Sequence, residues 1–368
     1  MIIKRTFYIL TFLLNLLLIA AMFVGKASAW ISPEQTAIPT LAGLFFPYLA
    51  IANCVFIIFW LVRFKWLAVI PIVAMLLFWS ELQASFSFFE TSKEQPENAI
   101  EIKIMTYNVA YFNYYKKSCP IFDYIAQSDA DIVCLQEFGF YEKSDQYLSR
   151  EDVESKMSAY PYQSLHISER SDGRNIGIEV FSKYPIVNED SFLRKTLVHL
   201  PHSRRMHADI KIGSDTVRVF NAYLKSNTLN KQVKTALFEM ADNFETSAFD
   251  SIATNVFSRI GNAAKIRSIQ SQHLAGRIAA SPYPVVVCGD FNDTPVSYTY
   301  STIGNNLTDS FIGSGAGMGI TYQEHLIQVK IDYLFHSKDI ISANYRIEKV
   351  KYSDHYPVQA SLWLKKND

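Results

Sequence analysis

Two long apolar runs near the N-terminus constrain this chain of 368 residues more than any other feature. Residues 6–25 (TFYILTFLLNLLLIAAMFVG) and residues 38–62 (IPTLAGLFFPYLAIANCVFIIFWLV) carry no formal charge. A helix of ~20 apolar residues is long enough to cross the hydrocarbon core of a bilayer. Both runs are therefore predicted to span a membrane. The alternative, a buried helical core in a soluble protein, is disfavoured by the succession of long, nearly uncharged stretches.

A third and shorter run, residues 66–80 (WLAVIPIVAMLLFWS), follows the second closely. It could extend as far as Phe89, but Glu81 interrupts it. We therefore expect residues 1–90 to form a membrane segment with about three transmembrane helices.

Basic residues predict the orientation of this segment, because Lys and Arg are enriched in cytoplasmic loops. Lys4 and Arg5 precede the first run. Arg63 and Lys65 lie between the second run and the third, whereas only Lys26 lies between the first two. The N-terminus is thus expected in the cytoplasm, and three crossings place the chain after residue 90 on the other side. The pattern predicts an integral protein of a bacterial inner membrane with its larger part in the periplasm.

The tripeptide Ala27-Ser28-Ala29 leaves an alternative for the first run, because it resembles a signal-peptidase site. The apolar stretch is long for a signal peptide, so we expect it to be retained. Cleavage would leave a helical hairpin and would not change the side on which the C-terminal part lies.

The zero formal charge of the chain averages two unlike regions. The 35 basic and 35 acidic side chains exclude a globally basic nucleic-acid binder and an acidic disordered chain. Five basic and three acidic residues lie in the first 90, so 30 basic and 32 acidic residues remain for the rest. A faintly acidic region is a poor match for duplex DNA, since binding there depends on neutralising phosphates. The four cysteines are too few for a disulfide scaffold and lack the spacing of a zinc site.

Residues 91–99 (TSKEQPENA) are polar and are predicted to be a linker, after which residues 100–368 alternate strand-like and helix-like segments. The predicted strands are Ile102–Val109, Ile132–Gln136, Ile176–Ser182, His207–Ile212, Thr216–Tyr223, Val285–Gly289, Ile331–Phe335 and Val358–Leu364. The predicted helices are Pro120–Ser128, Leu229–Asp242 and Ala264–Ala280. We expect a mostly helical insertion at residues 229–263, a mobile loop at residues 313–319, and one α/β domain large enough to fold alone.

Polar side chains follow several of these strands at the point where each strand ends. The clearest case is Val285–Asp293 (VVVCGDFND), in which four apolar residues lead into a glycine and an acidic turn. Taken alone, such an ending is typical of an Asx turn. It recurs, however, after the strands that end at Asn108 and Glu137, and Asp332 lies inside an apolar strand where an unpaired charge is costly.

If these strand ends converge, they form a pocket rich in oxygen ligands with a single imidazole. Its members would be Asn108, Glu137, Asp290, Asn292, Asp332, Asp354 and His355. Carboxylate and amide oxygens are the ligands that Mg²⁺ and Mn²⁺ prefer. Hydrolysis of a phosphoester suits such a pocket, because a divalent ion stabilises the charge on the phosphate while a carboxylate activates water.

Six segments, in this order, resemble the endonuclease/exonuclease/phosphatase superfamily and together span the region after the linker. They are TYNV (106–109), LQE (135–137), GIEVFSKYPI (177–186), GDFND (289–293), IDYLF (331–335) and SDHYPV (353–358). The resemblance implies a four-layer α/β sandwich, in which two mostly antiparallel sheets are flanked by helices and the active site lies at one rim.

The resemblance also implies roles for the residues that match. Glu137 would be the main ligand of Mg²⁺ or Mn²⁺, with Asn108 and Asp354 nearby. By the same resemblance, a second group would carry out catalysis.

In that second group, Asp290 would orient or activate the attacking water, and Asn292 would contact the phosphate or a second metal. His355 would bind the scissile phosphate, with Asp332 holding its imidazole.

Tyr223 departs from a common pattern of the superfamily, since many members have histidine at this position. A phenol titrates near 10 and is a poor base at neutral pH. We expect Tyr223 to donate a hydrogen bond to a phosphate oxygen, and simple packing at a strand end is the alternative. The branch that resembles exonuclease III also has tyrosine here, but Ala110 replaces the acid that this branch often carries.

Further candidates are weaker. Lys225 and Asn227 could contact the substrate phosphate. Arg204 and Arg205 could do so too, although solvated surface positions are expected for them. Glu179 could reach the pocket, and a salt-bridged acid is the alternative.

Together these features predict a membrane-anchored, metal-dependent phosphoesterase. Its substrate would be a nucleic acid, a phospholipid headgroup or a small phosphoester, and its partners would be the lipid bilayer and that substrate, with no protein partner expected. The alternative is a catalytically silent, membrane-tethered binding module on the same fold.

Overall fold

The computed structural model describes residues 2–87, 94–191, 204–227, 246–324 and 327–365. These residues form two compact units. The first unit contains residues 1–85, 226–269 and 293–302, and the second contains residues 86–225, 270–292 and 303–368. Each unit is described by itself below.

The first unit begins with a helical segment, as the apolar runs predict. Its helices are α1 (Ile2–Ala27), α2 (Ile38–Leu44), α3 (Phe46–Arg63), a 3₁₀ turn (Lys65–Ala68), α4 (Val69–Leu77) and α5 (Trp79–Ser85). Ile3–Ala27 and Phe46–Arg63 are long and apolar enough to cross a membrane. The second predicted span is interrupted at Phe45, where α2 ends and α3 begins with a proline in its first turn. Lys65–Leu77 and Trp79–Ser85 meet at an angle of 65° and reach the length of a third span only together.

Hydrogen bonds between buried amides join these helices. Asn15 on α1 donates to the side-chain oxygen of Asn53 on α3 over 3.1 Å, and Asn53 donates to the carbonyl of Pro71 on α4 over 3.0 Å. Asn15 also accepts a hydrogen bond of 3.2 Å from the indole of Trp60. Because an unpaired buried amide is costly, these contacts fix how the helices pack.

The later part of the first unit packs against the connection between α1 and α2. Ser28 donates to the carbonyl oxygen of Val296 over 2.9 Å, and a Cβ on Gly43 would lie only 2.2 Å from that same oxygen. The long helix here spans Thr246–Ala279, so the predicted start at residue 264 is wrong and the helix is one continuous element of 34 residues. The predicted helix Leu229–Asp242 lies outside the described residues.

Within the residues that the structure describes, the second unit contains two mixed, six-stranded sheets flanked by helices. Sheet one contains β2 (Ile100–Asn108), β3 (Ile132–Tyr141), β4 (Tyr162–Ser171), β5 (Arg174–Ser182), β15 (Ile340–Ile347) and β16 (Val358–Leu364), in the order β15-β16-β2-β3-β5-β4. Sheet two contains β6 (Ile186–Ser191), β7 (Arg204–Ile212), β8 (Asp215–Tyr223), β9 (Val285–Asp290), β10 (Thr308–Asp309) and β14 (Asp332–His336), in the order β10-β14-β9-β8-β7-β6. The pairs β2–β3 and β8–β9 are parallel, and the other pairs are antiparallel.

The remaining elements are short, apart from the long helix already given. The small strands are β1 (Phe86–Ser87), β11 (Gly317–Met318), β12 (Tyr322–Glu324) and β13 (Ile327–Val329). The other helices are α6 (Ala110–Tyr115), α7 (Pro120–Gln127), α8 (Arg150–Lys156), α9 (Thr246–Ala279) and α10 (Tyr298–Ile303). The loop expected at residues 313–319 contains turns and pairs with β1 at its end.

The two sheets pack face to face over an apolar core that includes Ile104 and Val219. A second core, with Val133 and Ile121, lies between sheet one and the helices on its outer face. The alternation of side chains along each strand produces both cores, because successive residues point to opposite faces. This arrangement matches the predicted sandwich.

A buried amide network crosses the interface between the sheets. Gln136 on β3 donates to the side-chain oxygen of Asn221 on β8 over 2.7 Å and to the hydroxyl of Thr106 over 2.9 Å. Asn221 in turn donates to the carbonyls of Leu135 (3.1 Å) and Glu179 (3.0 Å). The network therefore sets the register of one sheet against the other next to the predicted site.

We expect Asn221→Ala to lower the free energy of unfolding by about 2–4 kcal/mol, because Gln136 and two carbonyls would lose their buried partner. Denaturant unfolding would measure the change. Asn188→Ala is the matched control, since Asn188 is exposed on an edge strand and makes a single bond to Asp209. Equal losses in the two variants would contradict a special role for the network.

We expect Gly43→Ala to lower the melting temperature of the detergent-solubilised chain, at a cost of about 1–3 kcal/mol, because the new methyl would overlap the Val296 carbonyl. Gly276→Ala is the control, since a Cβ there meets nothing within 4 Å and alanine favours a helix interior by about 0.5–1 kcal/mol. A neutral Gly43→Ala would show that this close contact is not maintained.

Candidate active site

Several predicted residues come together because their strands end at the same edge of the sandwich. Asp290, the last residue of β9, lies beside Tyr223 in the parallel register and opposite Asp332 in the antiparallel one. On sheet one, Asn108 ends β2 beside Gln136 on β3. The backbone register thus brings carboxylates from distant parts of the chain within one strand spacing of each other.

Asp290 is the centre of this cluster and is buried, with 1% of its surface exposed. The side chain of Asn108 donates to one oxygen over 3.0 Å, and the backbone N–H of Asn292 donates to the other over 2.8 Å. The Nε2 atom of His355 lies 3.7 Å from the carboxylate. Burial raises the pKa of Asp290 and the charge of Asp332 adds to this, while His355 and the two donors oppose it. Asp290 is thus a carboxylate of raised basicity.

His355 is held between two acids. Its Nδ1 atom lies 2.9 Å from the carboxylate of Asp332, and its other ring nitrogen faces Asp290. Burial lowers the pKa of His355, but Asp332 and then Asp290 outweigh this effect and raise it. The two acids therefore favour the protonated form of the His355 imidazole, which can donate a hydrogen bond to a phosphate oxygen.

One oxygen of Asp332 provides a test for a bound cation. Its Oδ1 is buried and has no hydrogen-bond partner in the described part of the chain, whereas its Oδ2 accepts from His355. Ligand atoms of Asp290, Asp332 and His355 lie within 4.8 Å of one another. An unpaired buried carboxylate oxygen beside Asp290 is the kind of donor that a hard divalent ion prefers, whereas a protonated His355 offers no lone pair to a metal.

Glu137 reaches the site through a local irregularity of β3. The register of β3 against β5 shifts between Leu135 and Phe138, and Glu137 has a φ of 47°. Such a bulge redirects a side chain and is common next to active sites. The hydroxyl of Tyr223 donates to Oε1 of Glu137 over 2.7 Å. The phenol of Tyr223 therefore donates to a carboxylate here, and its donation to a phosphate oxygen stays a prediction.

Asp354 lies at the exposed rim. The hydroxyl of Ser353 donates to its carboxylate over 3.2 Å and to the backbone carbonyl of Asn108 over 2.8 Å. The backbone carbonyl of Asp354 accepts from the N–H of Gln323 over 3.0 Å. These bonds hold the segment that contains Asp354 beside the end of β2 at Asn108.

The other predicted contacts to phosphate are less directly placed. The side chain of Asn292 donates to the carbonyl of Leu224 over 3.2 Å. The backbone N–H of Lys225 donates to the side chain of Gln270 over 2.9 Å. Asn227 belongs to the first unit, where its oxygen accepts from Arg267 over 2.8 Å.

Two weak candidates prove to be buried, which corrects the expected solvated positions. Arg204 is 3% exposed and Arg205 is 1% exposed. Glu179 forms an ion pair with Arg150 over 3.0 Å, which is the alternative given for it in the sequence analysis. Burial raises the pKa of Glu179 to about 8, although Arg150 opposes this effect.

Other residues at the site carry no signal in the sequence. The hydroxyl of Thr321 accepts from the backbone N–H of Asp332 over 3.0 Å, and the ring of Tyr322 lies 4.9 Å from that of His355. A threonine and a tyrosine in a loop give no pattern from which these contacts could be inferred.

The comparisons with known proteins agree with this geometry. The chain matches the endonuclease/exonuclease/phosphatase family over residues 105–355, and a domain family of unknown function over residues 5–85. A solved protein of this family from Bacteroides vulgatus is 18% identical with a TM-score of 0.52, covering 72% of this chain and 99% of its own. One from Bacteroides thetaiotaomicron is 15% identical with a TM-score of 0.49, covering 73% and 99%.

TDP2 from Caenorhabditis elegans is 14% identical with a TM-score of 0.47, covering 72% of this chain and 74% of its own. No curated relative matches the chain. The structure from Bacteroides vulgatus, at a TM-score of 0.52, has the same fold, and the family match covers most of the second unit. The chain belongs to the endonuclease/exonuclease/phosphatase family and is a hydrolase of phosphoester bonds.

Proposed function

We propose that this protein is a membrane-anchored phosphoesterase that depends on Mg²⁺ or Mn²⁺ and uses water to hydrolyse a phosphodiester or phosphomonoester. The observation that carries the proposal is the buried cluster of Asp290, Asp332 and His355 at the strand ends where Asn108 and Glu137 also lie. A group of acids in this setting is costly to the fold, which supports a catalytic reason for it.

The metal would be held by Glu137, with Asn108 and Asp354 as further oxygen ligands. A bound divalent ion supplies positive charge against the non-bridging and leaving oxygens of the phosphoester. The bulge at Glu137 and the bond from Tyr223 orient the main ligand for this purpose.

The residues of the chain would divide the remaining work. Asp290, whose basicity is raised by burial, accepts a proton from the attacking water. Asn108 and the N–H of Asn292 hold its carboxylate in place. His355, kept protonated by Asp332, donates to a phosphate oxygen, and Lys225 lies on the strand extension beyond Tyr223, where it would add positive charge.

The proposed substrate is a nucleic acid, a phospholipid headgroup or a small phosphoester. The faintly acidic charge of the region after residue 90 counts against duplex DNA, and a membrane anchor favours a phospholipid headgroup or a small phosphoester by proximity. A catalytically silent binding module is disfavoured, because such proteins lose acidic ligands and this chain keeps them.

The anchor would place the enzyme in the inner membrane of a bacterium, with the catalytic region on the periplasmic side. Two helices of sufficient length and the basic residues near Lys4 and Arg63 support this proposal.

We expect Asp290→Asn and Glu137→Gln to lower kcat by at least about 10²-fold, because each removes a group that acts on the water or the metal. The full-length protein in detergent would be assayed with Mg²⁺ against DNA, RNA, sphingomyelin, phosphoinositides and an aryl phosphodiester. Glu142→Gln is the matched control, since Glu142 is exposed and bonds to Asn175. Full activity in excess chelator would contradict metal dependence, and inactivity on every substrate would favour the binding module.

We expect a C-terminal alkaline phosphatase fusion to be active in bacteria and a C-terminal green fluorescent protein fusion to be dark. Alkaline phosphatase folds only outside the cytoplasm, so the pair reports the side on which the chain ends. The reverse pattern would overturn the proposed orientation while leaving the catalytic proposal intact.

A further inference from the structure

A buried positive charge lies behind the proposed metal ligand. Arg204 begins β7, and its guanidinium carbon lies 5.2 Å from the ring centroid of Tyr223. Its Nε donates to the hydroxyl of Ser168 over 2.6 Å, and among the residues that the structure describes its ion-pair partner is Glu169, which is 3.8 Å away and 41% exposed. A buried arginine without a buried counterion is expensive, so its contacts to neutral groups need a reason.

Those contacts lead directly to Glu137. The ring on which Arg204 lies belongs to the tyrosine whose hydroxyl donates to Oε1 of Glu137 over 2.7 Å. The phenol of Tyr111 lies near both groups, since its pKa is raised by burial and then by the charge of Glu137, and is lowered by Arg204. Two tyrosines thus connect the arginine with the same carboxylate.

Tyr111 reaches this position through an unusual backbone. Ala110, Phe112, Asn113 and Tyr115 share its positive φ, with values from 42° to 66°, so α6 is left-handed. Such a conformation costs an L-residue roughly 1–2 kcal/mol. Strain of this kind persists where the surrounding contacts hold it, which is commonly at functional sites.

We propose that Arg204 is a positioning residue for the metal site, which holds the Tyr223 phenol in the orientation that occupies Oε1 of Glu137 and leaves Oε2 for the divalent ion. This inference rests on the proposed function, because it takes Glu137 as the metal ligand. Arg204 touches neither substrate nor metal and acts through Tyr223.

Lysine cannot replace arginine here. A planar guanidinium can lie on an aromatic ring and donate to two hydroxyl groups at once, whereas an ammonium acts as a point charge. Arg204→Lys therefore keeps the charge and loses the geometry, which separates positioning from simple electrostatics.

The test measures Mn²⁺ affinity by calorimetry on the full-length protein in detergent, without substrate. We expect Arg204→Met and Arg204→Lys each to raise the Kd for Mn²⁺ by about 10-fold or more, as removal of groups that orient a metal ligand typically does. We expect Tyr223→Phe to do the same. Because Arg204 acts through Tyr223, the double variant Arg204→Met/Tyr223→Phe should bind Mn²⁺ no more weakly than Tyr223→Phe alone.

The matched control is Arg205→Met. Arg205 is the next residue and is equally buried, but its guanidinium donates to the backbone carbonyl of Gln270. We expect Arg205→Met to lower the melting temperature and to leave the Kd for Mn²⁺ unchanged. A general loss of packing would instead weaken Mn²⁺ binding in both Arg204→Met and Arg205→Met.

The possible failures are distinguishable. Wild-type Mn²⁺ affinity in Arg204→Met, or additive effects of Arg204→Met and Tyr223→Phe, would overturn the inference and leave the proposed function standing. Absence of Mn²⁺ binding by the wild-type chain would overturn the metal-dependent function itself. If Arg204→Met does not fold, the Mn²⁺ affinities of Tyr223→Phe and Arg204→Lys test the inference. Wild-type Mn²⁺ affinity in both of these variants would overturn it.

Discussion

The hydrogen bonds between Asn221 and its partners across the two sheets are the constraint on which the rest of the second unit depends. Apolar side chains alone would let one sheet slide over the other, because the hydrophobic effect has no direction. A buried amide tolerates no such shift, since each donor and acceptor must find its partner. Gln136 precedes Glu137 in the chain, and Asn221 lies two residues before Tyr223. The network that aligns the sheets therefore also aligns Glu137, the proposed metal ligand, with the phenol that bonds to it.

The low-dielectric interior of the second unit also shifts the pKa values of the buried groups at the site. Desolvation raises the pKa of Asp290, and the imidazolium of His355 is stabilised by the acids on either side of it. Neither effect would survive in water, where charges are screened and solvated. The fold thus places its polar groups where the apolar core ends, so that they keep the benefit of burial and remain near the rim.

The sequence was informative wherever a chemical group coincided with a strand end. The apolar strand before Asp290 and the motif at His355 predicted the cluster, and the family resemblance predicted the sandwich. The redirection of Glu137 was not predictable, because a bulge depends on the register between β3 and β5. The contact between Glu137 and Tyr223 joins residues 86 positions apart, and local patterns carry no information about such a pair.

Burial of arginine was also beyond local reasoning. Arg204 resembles a surface residue in the sequence, since Arg is rarely buried, and only the position of its strand beside Tyr223 reveals otherwise. Residues 246–263 are helical, as expected for the insertion, but they are continuous with the helix predicted to begin at Ala264, because Phe249, Ile252, Val256 and Ile260 carry the same apolar spacing towards the N-terminus.

The left-handed turn at Ala110–Tyr115 has a consequence for how this protein can change. Glycine is the residue that enters a left-handed conformation without a steric penalty, so the backbone there would be relieved by substitutions that delete side chains. The chain instead keeps two tyrosines, an alanine, a phenylalanine and an asparagine at those five positions. Glycine at Tyr111 would relieve the backbone but would remove the phenol near Arg204, so a gain in thermal stability at this position would run against the organisation of the site.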